Sequence, residues 1–397
     1  MKKVIIACLF AVVGALGFSA SEDVEMYEYL YTLAQTHEDQ LALLQGMAES
    51  NISGAGEFYS NALTRLVTEF NNISGANEKL YAENQAVLLA SLIGQEKYTS
   101  AAPNLWRAYL SFSDPLVKAE ALMSLGKVQA MQYLPHVVLE LSALNNNAPL
   151  RDRLNAERVA FGAVISLEKY GDISGYLPVY FASRGWYSDR VKSQALRSLR
   201  IISSDPTDPM LVVIQGAGYD YATRYAALQS VDEASVSKEA KSRAALAAFE
   251  VAWGIGTTDV REREQLKQIR LLAMRMIREN GCSDNSVYGL LAQSYRQYGE
   301  QRTGGDQYET YDAITTLSVL ATDEAAKTLS SFLNQLNNNA RFGSSNPSKD
   351  NDLARRVIPA MGATRQRSAR QELMVVNTLG WADAVKRLAQ DALSQLP

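Results

Sequence analysis

Residues 114–126 read DPLVKAEALMSLG, and their spacing decides what kind of protein this is. An aspartate followed by proline is the chemistry of a helix start. The carboxylate can accept from the first free N–H groups, and the missing proline N–H costs nothing in the first turn. Val117, Ala121, Leu122 and Leu125 then fall at i, i+4, i+5 and i+8, one face of a helix. Gly126 is placed to end it. The next stretch, PHVVLELSAL (residues 135–144), starts a second helix at Pro135, with Val137, Val138, Leu141 and Leu144 apolar. Two short antiparallel helices cannot bury both apolar faces alone, so this unit needs neighbours.

The neighbours are in the same chain. Taking Ala121-Leu122-x-x-Leu125 as the anchor, Leu88-Leu89-x-x-Leu92 precedes it by 33 residues. Ala163-Val164-x-x-Leu167 follows by 42, and Ala195-Leu196-x-x-Leu199 and Ala227-Leu228-x-x-Val231 by a further 32 each. The longer gap holds LNNNAPLRDRLN, a loop insertion. Val117-Lys118 and Val191-Lys192 stand four and three residues before their anchors, where Thr223-Arg224 stands in the next unit. Pro103, Pro135, Pro178 and Pro209 lie 14 or 15 residues past an anchor. Three features in one register define an internal repeat. Looser echoes follow at Ala313-Ile314-x-x-Leu317, Val357-Ile358-x-x-Met361 and Val375-Val376-x-x-Leu379.

The pattern, carried by DPLVKAEALMSLG…YLPHVVLEL and SDRVKSQALRSLR…DPMLVVIQ, resembles the HEAT repeat family and its short bacterial HEAT-like (PBS-lyase-type) form. The resemblance implies an all-α superhelical solenoid whose second helices line the concave side. It also implies recognition of another protein. HEAT-like relatives that attach bilins are a third reading, which the N-terminal segment argues against. Nothing along the chain reads as a run of strands. The expected organisation is a signal peptide over residues 1–21, a helical cap over 22–83, regular repeats over 84–237 and divergent helical repeats over 238–397.

The first residues read MKKVIIACLFAVVGALGFSASED: two lysines, an apolar run over residues 4–18, then Ser19-Ala20-Ser21 before Glu22. This is the pattern of a cleaved export signal, too short for a membrane span, and it places the mature chain in the periplasm or cell envelope. Lipid anchoring at Cys8 is disfavoured, because the Ile5-Ile6-Ala7-Cys8 box comes too early in the apolar run. Cleavage leaves Cys282 as the one cysteine, so packing rather than a disulfide must hold the fold. A net charge of −4 argues against nucleic acid as a partner.

No catalytic, cofactor-binding or metal-ligating set emerges. The two histidines, His37 and His136, read as helix-surface residues. No Gly-x-x-x-x-Gly-Lys, His-Glu-x-x-His, Gly-x-Ser-x-Gly or Cys-x-x-Cys occurs, and the Met residues of REREQLKQIRLLAMRMIREN read as core. NISGA, which follows two helices at residues 51–55 and 72–76, reads as helix punctuation rather than as a glycosylation signal. Its Gly would permit left-handed backbone and its Ser would cap the next helix. Tyrosines cluster in YEYLY and YDYATRY, as inter-helix packing more than as interface.

The leading expectation is therefore an exported, non-enzymatic scaffold or adaptor. Its partner-binding residues are expected one and five positions past the prolines, at Asn104, His136, Glu140 and Ser183. The alternative is a helical-toroid enzyme acting on a cell-envelope glycan or peptide, which would need a deep pocket with converging carboxylates. The termini differ in charge. Residues 22–83 carry eleven acids against two bases, and residues 341–397 carry nine bases against five acids. Most such charges are solvated helix faces; the sharper reading is that the two ends recognise different partners, or each other head to tail.

Overall fold

Asp114 starts its helix as its chemistry dictates. Its Oδ1 accepts from the backbone N–H of Leu116 at 2.8 Å and of Val117 at 3.0 Å, with Pro115 in the first turn. In the computed structural model, which describes residues 20–299, 307–343 and 347–397, the fold is all-α, with no strand among the described residues. The segment expected to be an export signal, up to residue 19, and Cys8 lie outside the described residues. No described helix is long and apolar enough to cross a membrane.

The chain divides into two compact units, Met1–Ser204 and Asp205–Pro397. The first holds α1 (Ala20–Leu33), α2 (His37–Glu49), α3 (Gly56–Glu69), α4 (Ala76–Glu96), α5 (Ala102–Ser111), α6 (Pro115–Lys127), α7 (Leu134–Asn146), α8 (Arg153–Tyr170), α9 (Tyr176–Arg184) and α10 (Asp189–Ile202). The second holds α11 (Thr207–Gln215), α12 (Tyr221–Glu233), α13 (Lys238–Gly254), α14 (Val260–Asn280), α15 (Ser286–Gly299), α16 (Gln307–Leu320), α17 (Asp323–Phe342), α18 (Pro347–Thr364), α19 (Arg370–Val376) and α20 (Asp383–Ser394).

Within each unit, every odd helix packs on the even helix that follows it. In the first unit the even helices also pack in order, α2 on α4, α4 on α6, α6 on α8 and α8 on α10, and α3 packs on α5 and α7 on α9. In the second unit both series run without a gap, α12 through α20 and α11 through α19. The anchors explain the even series. They lie on α4, α6, α8, α10, α12, α16 and α18, and Leu89, Leu122, Leu125, Val164, Leu167, Leu228, Leu317 and Ile358 are wholly buried. Leu196 on α10 is the exception, at 54 % exposure. On α14 the place is taken by Leu272-Ala273-x-x-Met276, also buried. The echo at Val375-Val376 is not an anchor. It closes the odd helix α19, and α20 fills the even place with Val385, Ala389 and Ala392.

The second open position of the anchor motif carries a small hydroxyl on six helices: Ser91, Ser124, Ser166, Ser198, Ser230 and Thr316. Ser124, Ser166, Ser198 and Thr316 are fully buried, so a larger side chain there would hold neighbouring helices apart. Gly126 serves the same end and does not stop its helix. Helix α6 continues to Lys127, and the reversal is made by Gln129 at φ +56°. A Cβ on Gly126 would lie 2.6 Å from the Ser166 carbonyl oxygen, and one on Gly162 would lie 2.5 Å from that of Ala119. These two glycines let α6 and α8 meet backbone to backbone.

The NISGA copies punctuate as expected, except for their serines. Asn51 (φ +49°), Gly54 (φ +82°) and Gly75 (φ +94°) take left-handed backbone, but neither α3 nor α4 has a side-chain cap. In the related DISG, Asp172 is the acceptor, from the N–H of Ser174 at 2.9 Å and its hydroxyl at 2.6 Å.

Tyrosines fill much of the first unit's interior. Burial is the main cause that pushes the Tyr31 and Tyr59 phenols up to about 12, and it raises Tyr109, Tyr170 and Tyr187 as well. A phenol free of the fold ionises near 10, so from about pH 10 upward the unfolded chain releases protons that the folded chain keeps. Stability should hold at lower pH and fall progressively between about pH 10 and pH 12. Urea midpoints measured from pH 8 upward check this; a midpoint flat through the phenol range would contradict it.

Candidate functional site

The odd helices of the first unit carry the residues expected to bind a partner, and the structure separates them by role. Asn104 on α5 is committed inward: its amide donates to the Ser60 hydroxyl of α3 at 2.9 Å. The Ser183 hydroxyl donates to the Tyr180 carbonyl of its own helix at 2.6 Å. Both are half-buried structural residues. His136 and Glu140 on α7, in contrast, lie together in one aromatic cluster.

A one-residue shift explains the place of Ser183, though not that of Asn104, which shares the register of His136. Proline is the second residue of α5 and α7 but the third of α9 and α11. Each residue turns a helix by about 100°, so counting from proline selects different faces in the two pairs. The residues equivalent to Glu140 by helix position are Ala108 and Ala182, both wholly buried. Glu140 is thus a carboxylate where its neighbours place small apolar groups.

The cluster is built from α5, α7 and the turn before α7. The Trp106 ring stacks on Tyr109 at 4.8 Å between centroids, and lies 5.1 Å from His136 and 5.7 Å from Tyr133. Lys118 stands over the other ring of the pair, 5.0 Å from the Tyr109 centroid. Burial, then the hydrogen bond and charge of Glu140, hold the Tyr109 phenol protonated. Around these rings, on the same turn and two helices, Leu110, Met131 and Leu139 are 63 %, 45 % and 67 % exposed. Exposed large apolar groups beside half-exposed rings form a surface that water solvates poorly. A second ring group follows on the α9–α10 turn. Trp186 lies 4.2 Å from Tyr187, donates its indole N–H to the Leu144 carbonyl at 2.9 Å, and carries Arg153 over its face.

His37, the other histidine, is spent on structure at the start of α2. Its Nδ1 pairs with Gln85 Oε1 at 3.0 Å, and Gln85 also bonds Tyr31 and Gln40, tying α1, α2 and α4 together.

Among the cavities lined by described residues of the second unit, two stand out. One, of about 450 Å³, is lined by Trp253, Thr257, Lys267, Arg270, Gln297 and Glu309 among others. Its buried carboxylate is already neutralised: Arg270 donates from Nε to Glu309 Oε1 at 2.7 Å and from Nη2 to Oε2 at 3.0 Å. The guanidinium also lies over Trp253, 4.3 Å from the ring centroid. The other cavity, of about 460 Å³, is lined by Ser242, Arg243, Cys282 and Asp284 among others. Cys282 is half-buried rather than core, and burial pushes its thiol up, away from the reactive thiolate. Among the described residues, no group of three His, Cys, Asp or Glu stands together as a metal-ligand set.

The aromatic cluster was legible only in part. His136 and Glu140 follow from spacing, but Trp106 stands 30 residues earlier, and no local pattern pairs it with them. The signal that could have found it is aromatic composition: Trp106, Tyr109 and His136 lie in the proline-started helices and Tyr133 just before one. No family model matches this chain, and no curated protein matches it in sequence.

Proposed function

We propose that the chain is an exported, HEAT-like superhelical solenoid that acts as a scaffold or adaptor, binding another protein in the periplasm or cell envelope through the odd helices of its first unit. The observation that carries this reading is the cluster of half-buried Trp106 and Tyr133 with His136, together with exposed Leu110, Met131 and Leu139, on successive odd helices and the turn between them. Aromatic side chains supply large contact area at low entropic cost and dominate binding energy at interfaces. The in-phase anchors and the ordered packing of alternate helices support the solenoid. The N-terminal residues support export.

An envelope enzyme would want free carboxylates converging in a deep pocket. Glu309, the buried carboxylate of the Trp253 cavity, is instead held by Arg270, so no specific observation favours that alternative.

A photo-crosslinking amino acid at position 139, on α7, tests the reading in living cells. Position 196, on the even helix α10 and similarly exposed, is the control. One protein captured reproducibly from position 139 and not from 196 is the expected result. His136→Ala combined with Leu139→Asp should reduce that capture about tenfold or more, the loss expected when a central anchor is removed. Equal capture from both positions, or none from either, overturns the assignment of the face.

A further inference from the structure

We propose that copies of this chain associate head to tail, with the acidic outer face of α1 on one copy seated on the basic outer face of α19 on the next. Helix α1 is two-sided. Tyr27 and Tyr31 are 4 % exposed and face inward, Tyr31 meeting Phe58 of α3 edge-on at 5.3 Å. On the other side Glu25 and Glu28 are exposed, and Tyr29 and Leu33 are 64 % and 57 % exposed. These four positions share one helical face.

Helix α19 and the turn that opens it repeat the design with opposite charge. Leu373 and Val376 are buried against the unit, while Arg367, Arg370 and Met374 point outward, Met374 at 55 % exposure. Each face therefore pairs two like charges with an exposed apolar anchor. The surroundings reinforce the signs: residues 22–83 carry a net of −9 and residues 341–397 a net of +4.

Charge complementarity within one chain selects the occupant. The partner that presents a matching basic stripe with an apolar anchor is a second copy. Among the described residues, α1 is the first odd helix of one unit and α19 the last of the other, and each packs on one odd neighbour there. The contact joins two different faces, so it is heterologous and yields a closed ring or an open chain of copies. Opposite charges steer the encounter, and salt weakens it over a Debye length of about 10 Å at 0.1 M.

Sedimentation velocity of the full chain tests this. The weight-average mass should rise with concentration at low salt (about 30 mM) and return to that of a monomer at about 500 mM. Glu25→Lys with Glu28→Lys should leave monomers at low salt, and so should Arg367→Glu with Arg370→Glu. Arg370 also donates to the Pro397 carbonyl at 3.4 Å, so circular dichroism must show that the variant stays folded. Each variant retains one intact face, and the two reversed faces are again opposite in charge, so mixing the two should restore association at low salt. A monomer at every salt and concentration overturns the proposal, as does association that survives both charge reversals, or a mixture that stays monomeric.

Discussion

Arg270→Met is expected to remove about 3–5 kcal/mol from the stability of the second unit, the cost of leaving a buried charge without its partner. Glu309 is 1 % exposed, and its two oxygens both accept from one guanidinium at 2.7 and 3.0 Å. The double variant Arg270→Met with Glu309→Met should recover most of the loss, because well-packed apolar groups often replace a buried pair at little cost. Urea unfolding measures the sizes, and hydrogen exchange of α14 and α16 locates them. A double variant as unstable as the single one would show that the pair is not the source.

Gly162→Leu should be comparably severe in the first unit. The site has no room for even a Cβ, because the Ala119 carbonyl oxygen would stand 2.5 Å away and the Ala119 Cα 2.7 Å. These are backbone atoms of a packed helix, so relief requires α6 and α8 to separate along their whole contact. Overpacking of this kind costs about 3 kcal/mol or more, and in a unit of this size each kcal/mol moves the melting temperature by about 2–4 °C. Gly289 is the matched control. It is an exposed glycine inside α15, a Cβ there would meet nothing within 4 Å, and Gly289→Ala should stabilise by about 0.5–1 kcal/mol. Calorimetry of the two variants should move in opposite directions; a tolerated Gly162→Leu would refute the backbone contact.

The glycines of α6 and α8 also show where a sequence reading reaches its limit. Gly126 follows a run of apolar residues as a helix stop would, and the reading of it as a terminator rests on local rules that are sound elsewhere in the chain. A glycine that ends a helix and a glycine that admits a neighbour look the same in one dimension. Only the position of Ser166, 40 residues away, separates them. The residues expected to bind a partner met the same limit. Prolines mark the start of four odd helices, α5, α7, α9 and α11, but a shift of one residue between α7 and α9 turns Ser183 away from the face that holds Glu140.

By itself the sequence determined that the described residues are all helix, where the proline-started helices begin, and which face of the anchor-bearing even helices is buried. Those properties are set by contacts within about four residues: a carboxylate reaching two N–H groups, a proline without one, apolar side chains recurring every turn. What only the tertiary structure decided is which side chains meet across helices. The pairing of Arg270 with Glu309 spans 39 residues, and the stacking of Trp106 beside His136 spans 30. Such contacts depend on the phase of one helix against another, and a difference of one residue, about 100° of rotation, is enough to bury or expose a side chain.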